Sequence, residues 1–179
     1  MAAPTGFDDL WSRDRAVQNA AFTRFFAAAE QGVAWAYDVW DDVVERMGAK
    51  DNHDRAIAGQ LLSRLARSDP ELRCEVDLPR LMAVTFDPRF VTARHVLQSL
   101  WHVGAAGERH RALLLAALRE RFAQAADEKN GTLVRYDIVV VLRMVFDASG
   151  DDAARALALE LIDTEDDAKH QKKYRTVWR

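Results

Sequence analysis

Four times along this chain, apolar residues recur at positions i, i+4, i+5 and i+8. The sets are Val17, Ala21, Phe22, Phe25; Ile57, Leu61, Leu62, Leu65; Thr92, Val96, Leu97, Leu100; and Val134, Ile138, Val139, Leu142. That spacing returns each side chain to the same face of a 3.6-residue helix, so each set predicts an amphipathic helix with one face turned to a core.

Second helical segments lie between these stripes. Val33–Met47, Glu108–Lys129 and Asp151–Asp163 carry apolar residues at helical spacing and are bounded by Gly32, Gly48, Gly107, Gly131 and Gly150. The corresponding segment of the second pair, Glu71–Phe86, contains Pro79, which predicts two short helices or a kinked one. The run Ile138–Leu142 is β-branched and continuous, and by itself it reads as a buried strand. Its alignment with three other predicted helices assigns it to a helix instead.

That alignment is an internal repeat. "DRAVQNAAFTRF" from Asp14 matches "DRAIAGQLLSRL" from Asp54 at an offset of 40 residues, with Asp14/Asp54, Arg15/Arg55, Ala16/Ala56, Val17/Ile57, Thr23/Ser63, Arg24/Arg64 and Phe25/Leu65 identical or similar. A further step of 35 reaches "VTARHVLQSLWHVG", and another of 42 reaches "VRYDIVVVLRMVF".

The register bears on the stretch "DNHD", Asp51–Asp54, which could pass for a metal-binding cluster. Position 52 is Asn, position 12 is Ser, and position 87 is Asp followed by Pro88, all suited to cap a helix N-terminus. Asp14 and Asp54 then fall in the first turn, at the positive end of the helix dipole. The stretch is therefore read as a cap. In the fourth unit, strict register reaches Lys129, while Asn130 or Thr132 would suit the role better.

Helix pairs of about 35 to 42 residues with a cap, an Asp-Arg pair and an apolar stripe resemble HEAT-type repeats. The resemblance covers about Ser12 to Asp163. It implies an all-α fold, a right-handed α-solenoid of about four HEAT-like helix pairs with a C-terminal capping helix. The expected arrangement is a single domain over 1–179, with repeats at about 12–48, 51–86, 87–129 and 130–163 and a cap at 164–179. By the same analogy the first helices line the convex side and the second helices the concave side. In the cap, Thr164 is expected at the N-terminus, followed by Glu165, Asp166 and Asp167, with Lys172, Lys173 and Arg175 toward the C-terminus, all matching the dipole.

Composition fits this frame. The 179 residues are 49% hydrophobic, enough for a continuous core, and 30% charged with a formal net charge of −3. That balance does not suggest a phosphate-backbone binder or a polybasic membrane-surface protein. Cys74 is the single cysteine, which excludes an intrachain disulfide and a Cys-rich zinc site. "MAAPTGFDDLW" lacks a basic region followed by an apolar stretch, so a cytoplasmic protein with no membrane association is expected.

The search for chemistry returns no phosphate loop, nucleophile elbow, zinc-protease motif or Glu-x-x-His pair. His95 and His102 share a helical face, with His110 beyond, but two turns are too far apart to chelate one ion; Asp167 and His170 fare no better. Asp41, Asp42 and Glu45, and likewise Glu160 and Asp163, could do acid–base work if burial separated their pKa values, but they read as solvated helix faces. Cys74 reads as a small buried hydrophobe. No catalytic, cofactor-binding or metal-ligating residue is assigned, and no cofactor is expected.

Eight of sixteen aromatics fall in the first forty positions, and Phe26, Trp35 and Trp40 exceed the shared stripe, which leaves open an exposed aromatic surface for a partner or a second copy. The resemblance also admits an enzyme, because HEAT-like solenoids include DNA glycosylases acting on alkylated bases, with a basic concave face. Here the predicted second helices carry formal charges of −3, −1, +1 and −3, which repel duplex DNA and favour a protein or peptide partner of basic character. Arg109, Arg111, Arg119 and Arg121 form the one locally basic stretch. The preferred expectation is a non-catalytic interaction module or scaffold. A glycosylase-type enzyme, or a unit that self-associates through its aromatic N-terminal end or the Trp178 end, remains the alternative, and the oligomeric state stays open.

Overall fold

A computed structural model describes residues 3–179, and every regular element among them is helical. In order they are α1 (Arg15–Gln31), α2 (Ala36–Arg46), α3 (Asn52–Leu65), α4 (Arg73–Val84), α5 (Phe90–Ser99), α6 (Trp101–Ala106), α7 (Glu108–Gln124), α8 (Gly131–Ser149), α9 (Asp152–Asp163) and α10 (Ala168–Arg175), with short 3₁₀ turns such as Phe7–Trp11 and Thr176–Trp178. Ile138–Leu142 lies inside α8, so the helical alignment and not the β-branched composition describes it. No helix among the described residues is long and apolar enough to cross a membrane.

The chain divides into two compact units, Met1–Ser99 and Leu100–Arg179. In the first unit the core is built from Phe7, Leu10, Phe25, Phe26, Val39, Trp40, Leu61, Leu62, Leu65, Leu81, Val96 and Leu97. The second unit buries Leu114, Leu118, Phe122, Val134, Ile138, Val141, Leu142, Leu157 and Ile162. The helix α10 is pinned by Tyr174, which is fully buried and donates its hydroxyl proton to the Thr132 carbonyl at 2.9 Å. Burial pushes the Tyr174 phenol up to about 12.

The four apolar stripes are buried except at Val17 and Phe22 of the first. Val17 is 39% exposed, and Phe22 is half-buried. Next to Val17, Gln18 takes the inward position; its Nε2 donates to the Leu10 carbonyl at 3.0 Å, and its Oε1 accepts from Arg15. A buried amide with both ends bonded is a stable substitute for an apolar residue.

Several side-chain bonds join helices and loops some 30 to 40 residues apart in the chain. In the first unit Tyr37 donates to Asp69, Trp40 Nε1 to Asp77, and Asn52 Nδ2 to Thr92, over 32, 37 and 40 residues. Arg55 makes two bonds to Asp87 and further bonds to the Ala49 and Lys50 carbonyls. In the second unit Arg111 spans 40 residues to Asp151, and Arg135 spans 30 to Glu165.

The helix boundaries differ from expectation at several points. The caps are Asp14 and Asp51, not Ser12 and Asn52: Asp14 Oδ1 accepts from the Ala16 and Val17 amides, and Asp51 Oδ1 accepts from the His53 amide at 2.8 Å. Aspartate serves both ways, as cap ligand and as counter-charge to the dipole, and so displaces the neutral neighbour. Likewise Asp167 caps α10, whereas Thr164 closes α9. Asn130 occupies the cap position of α8 but makes no side-chain cap bond.

Helix α4 is one element with Pro79 inside it rather than two pieces. Conversely, "VTARHVLQSLWHVG" is divided, with α5 ending at Ser99 and α6 starting at Trp101. Ser99 Oγ donates to the Val96 carbonyl at 2.7 Å, occupying the acceptor that the next backbone amide would use.

Candidate functional site

None of the sequence candidates for metal binding or catalysis forms a reactive cluster. "DNHD" is a cap and its neighbours: Asp51 receives the His53 amide, the His53 ring lies 3.2 Å away, and Arg13 pairs with it at 3.1 Å. The His53 amide leads in holding the Asp51 carboxyl below the usual range. Asp54 is pushed the other way, by burial and by the Asp51 charge. Among the described residues no three His, Cys, Asp or Glu side chains converge as a metal site would need. His95 is exposed on α5, His102 stacks on Trp101 with centroids 3.8 Å apart, and His110 is buried on α7. Asp167 spends its carboxylate on the Lys169 and His170 amides.

Cys74 is 1% exposed, and burial pushes its thiol up to about 12, so it carries no thiolate at neutral pH. Its amide donates to Asp69, a carboxylate that the sequence did not single out. Asp69 is buried and also accepts from the Arg73 amide and the Tyr37 hydroxyl, so it caps α4 from outside the helix. This capping accompanies Leu72, a non-glycine residue at φ 59.

The paired carboxylates are mostly engaged in ion pairs. Asp41 pairs with Arg73, Asp42 with Arg46 at 3.5 Å, Asp163 with Arg175 at 2.6 Å, and Glu160 with Arg119. The locally basic stretch is neutralised in the same manner. Arg119 grips Glu160 through both its terminal nitrogens, Arg111 pairs with Asp151, and Arg121 is only 1% exposed and bonded to both oxygens of Glu128. Arg121 is thus a core residue, which no charge count along a helix could separate from a surface one.

The aromatics beyond the shared stripe contribute to the core of the first unit rather than to an exposed surface. Trp40 and Phe26 are buried, and Trp35 packs edge-on against Phe7 and Phe25 at 6.2 and 5.8 Å.

What the first unit does present is a cleft between α2 and α4, which no single motif marked. One part, about 490 Å³, is lined by Val44, Met47, Ala83, Val84, Phe86 and Pro88 along with Glu45, Arg55, Arg80 and Asp87. A second part of about 490 Å³ shares Val44, Glu45 and Arg80 and extends to Asp41, Arg73, Val76 and Asp77. Val76 and Phe86 are 78% and 48% exposed, large apolar side chains left facing solvent beside the cleft. Glu45 and Arg80 are exposed, and neither has a side-chain hydrogen bond or ion pair among the described residues. The surface is concave and largely apolar with a few charged groups at its edge, the general character of a ligand-binding cleft. No protein-family model matches this sequence, and no curated protein matches it.

Proposed function

We propose that this chain is a HEAT-type α-solenoid interaction module, about four helix pairs with a C-terminal capping helix, that binds a protein or peptide partner along the face of its second helices without catalysis. The α2–α4 cleft carries the reading: it lies between two helices read as second helices, and Val76 and Phe86 expose apolar surface beside it. Side-chain bonds that step roughly one repeat at a time support the repeat architecture. Neutralisation of Arg111, Arg119 and Arg121 by carboxylates supports a protein partner over a nucleic acid.

Affinity capture of the tagged chain from lysate, with nuclease treatment in parallel, tests the proposal. The expected result is a protein that survives nuclease and is lost when Val76 and Phe86 are both changed to Asp. Capture that depends on nucleic acid, or that returns nothing in repeated trials, overturns it.

A further inference from the structure

We infer that the α2–α4 cleft takes a short segment of a partner protein that presents one bulky apolar side chain and, about 10 Å further along, one Lys or Arg. The inference rests on the interaction-module reading and adds the chemistry of the occupant.

The two parts of the cleft differ in character. Around Val84, Phe86 and Pro88, with Met47 opposite, the lining is apolar, and the one charged pair there, Arg55 with Asp87, is already closed at 2.5 Å. Its two other charged side chains, Glu45 and Arg80, also line the second part and offset one another here, so Met47, Val84, Phe86 and Pro88 favour an apolar side chain. Around Asp77 the lining is polar. Arg73 is held by Asp41, which leaves Glu45, Asp77 and Arg80 to face the occupant. Asp77 accepts one bond, from Trp40 Nε1 at 2.9 Å, and Glu45 accepts none from a side chain. Two carboxylates against one guanidinium leave an excess negative charge, which draws a cation to the Asp77 part.

Arg80 lines both parts and has five donors with no side-chain or backbone acceptor. It suits the main-chain carbonyls of a bound segment, and it repels a cation placed at the centre of the cleft. That repulsion fixes the polarity of binding: apolar group toward Phe86, cation toward Asp77. From Val84 to Asp77 is seven residues of helix, so the two anchors lie about 10 Å apart. On the partner this corresponds to about three residues if extended or about seven if helical.

Panning a random dodecapeptide display library on the full chain provides the test, followed by anisotropy titration of a labelled peptide carrying the selected consensus. The expected consensus pairs an aromatic or large aliphatic residue with Lys or Arg at one fixed spacing. Glu45→Arg should weaken that peptide at least tenfold, and a peptide with its basic residue changed to Glu should recover affinity for the Glu45→Arg chain. Val76→Asp, at a side chain that is mostly exposed, serves as a second variant that folds regardless of Phe86 packing, and circular dichroism confirms helicity for both. A selection without a shared apolar–basic pair overturns the inference. So does a consensus peptide whose affinity neither variant alters; in that case the chain still binds peptides, and only the assignment of this cleft is lost.

Discussion

Gly59 on α3 faces Val96 on α5 so closely that a Cβ at position 59 would stand 2.7 Å from Val96 Cγ2 and 2.9 Å from Cγ1. Val96 is fully buried and branched at Cβ, so its methyl groups cannot swing aside. Helix propensity alone favours Gly59→Ala by about 1 kcal/mol. Overpacking outweighs it, and the substitution should destabilise the first unit by about 1–3 kcal/mol. Adding Val96→Ala should recover part of the loss, a non-additive pair measurable by urea denaturation. Equal losses in the single and double variants would show that the contact is not the cause.

Arg121 and Arg119 lie two residues apart on one helix, yet substitutions there should differ sharply. Arg121→Glu places a carboxylate in the core beside Glu128 and should cost about 3–5 kcal/mol or prevent folding. Arg119→Glu breaks a solvent-exposed pair and should leave the denaturation midpoint nearly unchanged. Comparable midpoints for the two variants would contradict the burial of Arg121.

Acid should unfold the chain through its caps. His53, Ala153 and His170 amides hold Asp51, Asp151 and Asp167 below the usual carboxylate range; Asp87, though burial pushes it up, ends low because Arg55 and the Arg89 amide bond it. A carboxyl whose folded pKa is depressed contributes stability above its unfolded value, near 3.9, and loses it as the pH falls through the folded value. Asp54 is raised and acts in the opposite direction, gaining stability on protonation. The melting temperature should therefore stay level from about pH 7 to 5 and fall below about pH 4. Asp87→Asn should lower the neutral-pH plateau and make the acid drop shallower.

The thiol of Cys74 should resist a disulfide reagent such as Ellman's in the native state and react stoichiometrically in urea. Fast native labelling would mean that α4 opens locally far more often than its buried contacts suggest.

Sequence periodicity made the helices legible because burial of a stripe leaves a 3.6-residue signature that each helix writes independently. Val17 escaped it, since a buried Gln18 with both amide ends bonded looks polar in a sequence and behaves as core. The caps were legible as a class but not by position, because Asp51 and Asn52 compete for one geometry that only the backbone decides. Asp69 was illegible for a related reason: it caps α4 from three residues before the cap position Leu72. The cleft left no signature, as it is the space that Val76, Phe86 and their neighbours on α2 fail to fill. Glu45 and Asp41 sit on the same stretch of α2, and only their surroundings separate the unpaired carboxylate from the paired one.

The stepwise bonds across 30 to 42 residues also set how the polypeptide is made. Each helix finds the partners described for it within the preceding few dozen residues, so a nascent chain leaving the ribosome can settle segment by segment while its remainder is still being translated. Modest loop closures of similar size replace a long-distance search, and refolding from denaturant should accordingly be fast for a protein of this length.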